Sequence, residues 1–220
     1  MEIPCYTDPR FRRAAGDSWH PGGLALTRRG LELCRFARGA VVLDIGCGKG
    51  ETLRLLRSLP LDAVGLDKEN QASSDLPVFE GDASSPPFAD GTFDGIVCEC
   101  VLSLLPAPDK ALGAFCRMLK SGGRLMLSDV YAQEGGKEAR LPRPEPGSCL
   151  EGALPRSLLE DLLKQAGLRI VFFEDHPEAL REFAAKLIWY GGVPLKSLCP
   201  ASGCGIRPGY GLWIAEKAKP

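Results

Sequence analysis

Apolar residues in this chain fall into short unbroken runs that alternate with stretches carrying apolar residues on one helical face. Val41-Val42-Leu43-Asp44-Ile45 is such a run, and it stops in a glycine-rich turn. That is the pattern of a strand buried on both faces of a parallel sheet. Before it, residues 23–36 place Leu24, Thr27, Leu31 and Cys34 on one side of a helix, which Gly39 breaks. After it, residues 51–59 predict a helix stopped by Pro60. Ala63-Val64-Gly65-Leu66 then reads as a second strand ending at Asp67. Strand, glycine turn, helix and strand ending in an acid make one βαβ unit.

The alternation continues. Pro77-Val78-Phe79-Glu80 predicts a third strand and Gly95-Ile96-Val97-Cys98 a fourth. Leu112, Phe115, Cys116 and Leu119 share a face of a helix over residues 109–119. Ser121-Gly122-Gly123 turns into a fifth strand at residues 124–128. Residues 142–147 are proline-rich and predict a loop over the sheet. A helix over 155–166 buries Leu158, Leu159, Leu162 and Leu163 and ends at Gly167. A sixth strand follows at 168–173, an amphipathic helix at 177–190, and a last strand at Leu212-Trp213-Ile214-Ala215. The first 20 residues read as irregular and polar. The expected fold is α/β, a mainly parallel sheet covered by helices on both faces. The expected organisation is a single domain over 1–220, with an N-terminal segment and lid helix at 1–38, a core at 39–135 and a further part at 136–220.

Composition narrows the function classes. Hydrophobic residues make up 45% of the 220 and charged residues 25%, which is ordinary for a globular protein. The net charge of −1 comes with no long basic run, so no nucleic-acid or anionic-membrane partner is signalled. The N-terminus lacks the basic flank and apolar run of a signal peptide. No apolar stretch reaches the roughly 18 residues of a membrane span. The expected location is the cytoplasm. The nine cysteines are odd in number and suggest no disulfide framework, so free thiols are expected. Cys34 and Cys116 read as small core residues.

The glycines at 46, 48 and 50 are spaced G-x-G-x-G, unlike the G-x-G-x-x-G of dinucleotide sites. A pyrophosphate wants a helix N-terminus. A ligand without phosphate needs only close backbone approach, which glycine permits. Asp67, about 20 residues further on at the end of the next strand, suits a ribose diol, because a carboxylate accepts from both hydroxyls. A third acid, Asp82, follows the third strand and can accept from an exocyclic amine.

This combination resembles the class I S-adenosylmethionine-dependent methyltransferases, from Pro21 to Glu216. The resemblance implies a Rossmann-like, doubly wound sheet of seven strands in the order 3-2-1-4-5-7-6 with strand 7 antiparallel. It implies S-adenosyl-L-methionine as cofactor, held by Asp44, Gly46, Cys47, Gly48 and Gly50, by Asp67 with Lys68, and by Asp82 with Ala83. Cys98 is expected on the wall beneath the sulfonium. The segment Trp19-His20-Pro21-Gly22-Gly23 either closes over the cofactor or only starts the first helix.

Methyl transfer asks for alignment and exclusion of water more than for acid–base groups. The acceptor is therefore set by pocket lining. Three segments resemble the arsenite methyltransferase branch: Cys98-Glu99-Cys100-Val101-Leu102-Ser103-Leu104-Leu105-Pro106, Leu119–Leu125 and Leu127–Tyr131. Ser148-Cys149-Leu150-Glu151-Gly152-Ala153-Leu154 resembles that branch's cysteine-containing segment, where the matching cysteine is a ligand of trivalent arsenic. Soft thiolates suit such a centre. Cys149 and Tyr131 are thus the candidate catalytic residues, and Cys5, Cys199 and Cys204 are possible further thiols. No metal site is read from the spacing. The resemblance implies a small-molecule methyl acceptor, either arsenite or another thiophilic acceptor, or an organic metabolite such as a quinone precursor. A non-catalytic cofactor-binding protein is the alternative class. The sequence leaves the oligomeric state open.

Overall fold

The computed structural model describes residues 8–69, 71–133, 148–192 and 207–219. Cys5, Cys199, Cys204 and the proline-rich stretch 142–147 lie outside the described residues. In chain order the elements are α1 (Pro9–Ala15), α2 (Gly23–Cys34), β1 (Val41–Ile45), α3 (Glu51–Ser58), β2 (Asp62–Asp67), β3 (Val78–Glu80) and β4 (Phe93–Glu99). There follow α4 (Pro108–Met118), β5 (Leu119–Ala132), β6 (Leu154–Pro155), α5 (Arg156–Gln165), β7 (Leu168–Asp175), α6 (Pro177–Gly191) and β8 (Pro208–Lys217).

The sheet runs β3-β2-β1-β4-β5-β8-β7, with the short β6 pairing β5 beside this path. β1 pairs parallel with β2 and with β4, and β8 lies antiparallel between β5 and β7. This is the expected order, with β7 and β8 as the sixth and seventh strands of the sequence reading. The two-residue β6 is an addition. β5 is much longer than expected because its pairing with β8 runs from Arg124 to Ala132, beyond the apolar run.

Alternation along each strand divides the core into two layers. Leu43, Ile45, Ile96, Cys98, Leu125 and Leu127 face α4 and α5, meeting Leu112, Phe115, Leu159 and Leu163. Val42, Val97 and Met126 face the other way, toward Leu26 and Leu31 of α2 and Leu53 and Leu56 of α3. Helices thus cover both faces, and the carboxyl ends of β1, β2 and β4 open between the layers.

The N-terminal segment is not irregular. The Asp8 side chain accepts from the Arg10 amide at 2.8 Å and Pro9 occupies the first turn, a normal helix start. Phe11, Ala14 and Ala15 of α1 form a third small core with Leu187 of α6, and Phe11 meets Phe183 edge-on at 6.0 Å. A long-range contact, invisible in local sequence, makes this short helix possible.

Candidate functional site

The glycine loop joins β1 to α3. Gly46, Gly48 and Gly50 have φ of +69°, +51° and +84°. Only glycine takes this left-handed region without strain. The Gly46 and Cys47 amides donate to the Leu66 carbonyl at 2.7 and 3.2 Å, so the loop is tied to the end of β2. Asp67, at that end, accepts from the Gly48 amide at 2.8 Å and from the Glu69 amide at 3.0 Å. Each oxygen thus holds one bond and keeps a lone pair for a further donor.

Beside the loop is a cavity of about 250 Å³. Asp44, Gly46, Cys47, Gly48, Asp67, Lys68, Gly81 and Ala83 all line it. The segment from Asp17 to His20 lines it from the opposite side. The Trp19 ring lies over Gly48, its indole N–H donates to the Gly16 carbonyl at 3.0 Å, and the Lys49 ammonium sits 5.3 Å from the ring centre. Asp44 is buried, and its Oδ2 has no partner. Burial first, then repulsion from Glu99 and Asp67, pushes its carboxyl well above the usual carboxylate range. An orphaned buried acceptor is costly unless a ligand supplies the donor. Burial likewise pushes the Cys47 thiol up, and its sulfur packs against Gly65.

Five expected positions lie off the cavity wall: Gly50, which faces Leu76 and Ala72, and Asp82, Cys98, Tyr131 and Cys149. Cys98 is fully buried in the layer facing α4 and α5, and the wall belongs to its neighbours Glu99, Cys100 and Val101. The cause is strand parity: Cys98 sits in register with Ile45 and turns its side chain into the layer facing α4 and α5. Tyr131 is not on the cavity wall either. Its ring packs 5.8 Å from Trp213, and its hydroxyl donates to Asp175 at 3.0 Å. Burial, and after it Asp175, raise this phenol to about 12. Asp82 is exposed between the lining residues Gly81 and Ala83, with its carboxylate engaged, accepting from the Ser84 amide at 2.7 Å and facing the Lys68 ammonium at 3.3 Å. The Ser84 bond above all holds its carboxyl below the ordinary range.

Cys149 is half-buried and packs on the layer of α2 and α3, as does Cys100. Cys100 lines the cavity with φ +54°, and its sulfur lies 3.4 Å from the Tyr210 hydroxyl. Burial drives the Cys100 thiol well up, with Asp129 and Cys149 among the smaller causes. The sequence reading passed over Glu99, which accepts from the Thr52 hydroxyl at 2.8 Å and from the Thr27 hydroxyl at 3.0 Å. A charged residue ending an apolar strand, out of parity with Cys98, was the available signal.

Asp129 braces the same wall from behind. It accepts from the Ser103 amide at 3.0 Å and from the Ser103 hydroxyl at 2.6 Å, fixing the turn that carries Leu104. Burial raises its carboxyl from 3.8 to about 6. Below pH 3.8 both folded and unfolded chains hold this proton; between 3.8 and about 6 only the folded chain holds it. Stability from this group therefore falls as pH rises across that window and is level above it. Urea unfolding of wild type against Asp129→Asn should show the wild type losing up to about 3 kcal/mol relative to the variant between those limits. A difference that grew in favour of wild type with rising pH would contradict this.

Comparison with known proteins agrees with the geometry. The profile of a methyltransferase-domain family matches residues 22–171. The arsenite methyltransferase of Aquipseudomonas alcaligenes is 40% identical over 107 residues, covering 47% of this chain and 30% of that protein. The demethylmenaquinone methyltransferase of Renibacterium salmoninarum is 33% identical over 114 residues, covering 47% and 48%. The chain therefore spans less than half the length of either relative. Phosphoethanolamine N-methyltransferase 2 of Haemonchus contortus, solved with S-adenosyl-L-methionine, superposes with a TM-score of 0.72 at 17% identity, covering 96% of this chain and 56% of that one. The chain belongs to the methyltransferase-domain family, the S-adenosyl-L-methionine-dependent kind. Among the described residues no helix is long and apolar enough to cross a membrane.

Proposed function

We propose that this protein transfers a methyl group from S-adenosyl-L-methionine to a small thiophilic acceptor of the arsenite type. The observation that carries the donor half is the row of acids at neighbouring strand ends beside a left-handed glycine loop. Asp67 offers free lone pairs to a ribose diol, and Gly81 and Ala83 edge the space for adenine. Lys68 holds Asp82 at that edge, and the orphaned Asp44 oxygen suits a donor group at the aminoacyl end. The bound sulfonium supplies an activated methyl group. The protein's part is to hold the donor straight and keep water out. Trp19 over Gly48 serves the second task.

The acceptor half has separate grounds. The identity to an arsenite methyltransferase supports it, as does the placement of Cys100 on the wall with Cys149 close enough to influence its thiol. Two thiols at the carboxyl edge of the sheet suit a soft centre whose lone pair attacks the methyl group. An organic acceptor is the second reading, favoured by the match to a quinone-pathway enzyme.

Calorimetric titration tests the halves separately. S-adenosyl-L-methionine should bind with a Kd of about 1–100 μM. Arsenite should bind the wild type and weaken at least tenfold in Cys149→Ser, the equivalent of about 1.4 kcal/mol. Unchanged arsenite affinity in that variant would remove Cys149 and the thiophilic reading. Absence of any heat with the donor would remove the methyltransferase reading itself.

A further inference from the structure

We infer that His20, Glu99 and Asp44 form the socket for the α-ammonium of the methyl donor, so that the donor itself clasps the N-terminal segment to the sheet. The inference rests on the donor reading above and adds residues to it from two separate parts of the fold.

The first ground is tautomeric. His20 Nδ1 lies 3.2 Å from the Pro21 carbonyl, and a carbonyl only accepts, so Nδ1 carries the hydrogen. In the neutral ring Nε2 is then a bare acceptor. It is aimed at Glu99 Oε2, 3.6 Å away, and has no hydrogen-bond partner, although His20 is only 8% exposed. With the ring neutral, two acceptors face each other across a gap that an N–H donor would bridge. The hydroxyls of Thr27 and Thr52 already point into Glu99 and fix its carboxylate. Asp44 Oδ2 is the third acceptor, on the next strand and on the wall of the same cavity.

Charge selects the ligand group. Among the described residues neither Asp44 nor Glu99 has a lysine or arginine within ion-pair distance, and the Glu99 side chain is only 5% exposed. The Glu99 carboxylate calls for a cation, and a cation bound there favours the ionised form of Asp44 beside it. An ammonium brings one positive charge and three N–H donors, which matches three acceptors lining one cavity. A hydroxyl or a carboxylate matches neither.

Position selects the end of the ligand. Asp67, Asp44 and Glu99 stand at the ends of β2, β1 and β4, which are consecutive in the sheet. Two strand spacings separate the outer pair, about 10 Å. That is the scale of an extended ligand with its ribose on Asp67 and its aminoacyl nitrogen at Glu99. His20 belongs to neither strand, so its contact with this nitrogen closes the segment Asp17 to His20 over the ligand.

Calorimetry on the full chain tests the socket with three probes. S-adenosylhomocysteine carries the ammonium. Its deamino analogue, S-adenosyl-4-thiobutyrate, lacks it, and 5′-methylthioadenosine lacks the whole aminoacyl end. Glu99→Gln should weaken S-adenosylhomocysteine about 30-fold and His20→Gln about 10-fold, as expected for loss of charge-assisted hydrogen bonds. Both variants should bind the other two probes within about twofold of wild type. S-adenosylhomocysteine affinity unchanged in Glu99→Gln, or equal losses for all three probes, would overturn the socket and leave the donor reading standing. If wild type bound none of the probes, both would fall.

Discussion

Gly46→Ala should reduce affinity for S-adenosyl-L-methionine about 100-fold, the largest loss expected from a single methyl group in this protein. Two costs add. The backbone at 46 has φ +69°, where an L-residue is strained by about 1–2 kcal/mol. A Cβ there would also meet the Val101 Cγ2 at 2.3 Å, and Val101 is stiff and faces the cavity. Relief by moving the loop breaks the Gly46 and Cys47 bonds to Leu66, and moving Val101 narrows the ligand space. Overpacking of this kind costs about 1–3 kcal/mol. Together these reach about 3 kcal/mol, or two factors of ten. Gly39→Ala separates the terms. Its φ is +76°, with nothing within 4 Å of the added Cβ, so it carries strain and no clash. It should lower stability by about 1 kcal/mol and leave affinity unchanged. Adding Val101→Ala to Gly46→Ala should recover part of the lost affinity. Binding by Gly46→Ala within threefold of wild type would mean that the loop does not hold the donor.

The same geometry explains which parts of this site were legible in the sequence. The loop and Asp67 were, because a left-handed turn and a strand-end acid each demand particular residue types at fixed places. The strand order followed from the family resemblance, and the βαβ unit from periodicity alone. Cys98 lies one residue's parity from the wall: register with Ile45 turns it into the layer under α4 and α5 and leaves Glu99 on the cavity side, and register is a property of two strands at once. Tyr131 lies at the correct end of β5, yet its ring fills space left by a glycine of β8, 78 positions later in the pairing of Tyr131 with Gly209. His20 gained its meaning only from Glu99. Neither residue marks the other in sequence, and their contact exists because α1 docks on α6 and brings the segment after it over the cavity.

Trp213→Ala should be the most destabilising single truncation in the described core, at about 4 kcal/mol. Trp213 is fully buried at the middle of β8, the antiparallel strand that joins β5 to β7. Phe173 and Tyr131 pack on it at ring distances of 4.9 and 5.8 Å, and its indole N–H donates to Glu160 of α5 at 3.3 Å. Room for these rings comes from β8 itself. A Cβ on Gly211 would lie 2.4 Å from the Trp213 ring, and one on Gly209 would lie 2.3 Å from the Tyr131 ring. The strand therefore gives up side chains at two positions to seat two aromatic rings, and nothing nearby can collapse into the space left by the larger one. Removing it forfeits burial and edge-to-face contact and leaves the cluster with a cavity that close-packed neighbours fill only partly. Urea unfolding should report about 4 kcal/mol, with a fall in Tm of about 8–16 °C for a chain of this length. Trp213→Phe should cost less than half as much, since it keeps an aromatic ring in the cluster. Well below its melting temperature, Trp213→Ala should bind S-adenosylhomocysteine as the wild type does, because the donor cavity lies over β1, β2 and β4. A loss under about 1 kcal/mol would mean that the β5–β8–β7 edge is not packed as described. A large loss of donor affinity in the folded variant would mean that the two halves of the sheet are coupled.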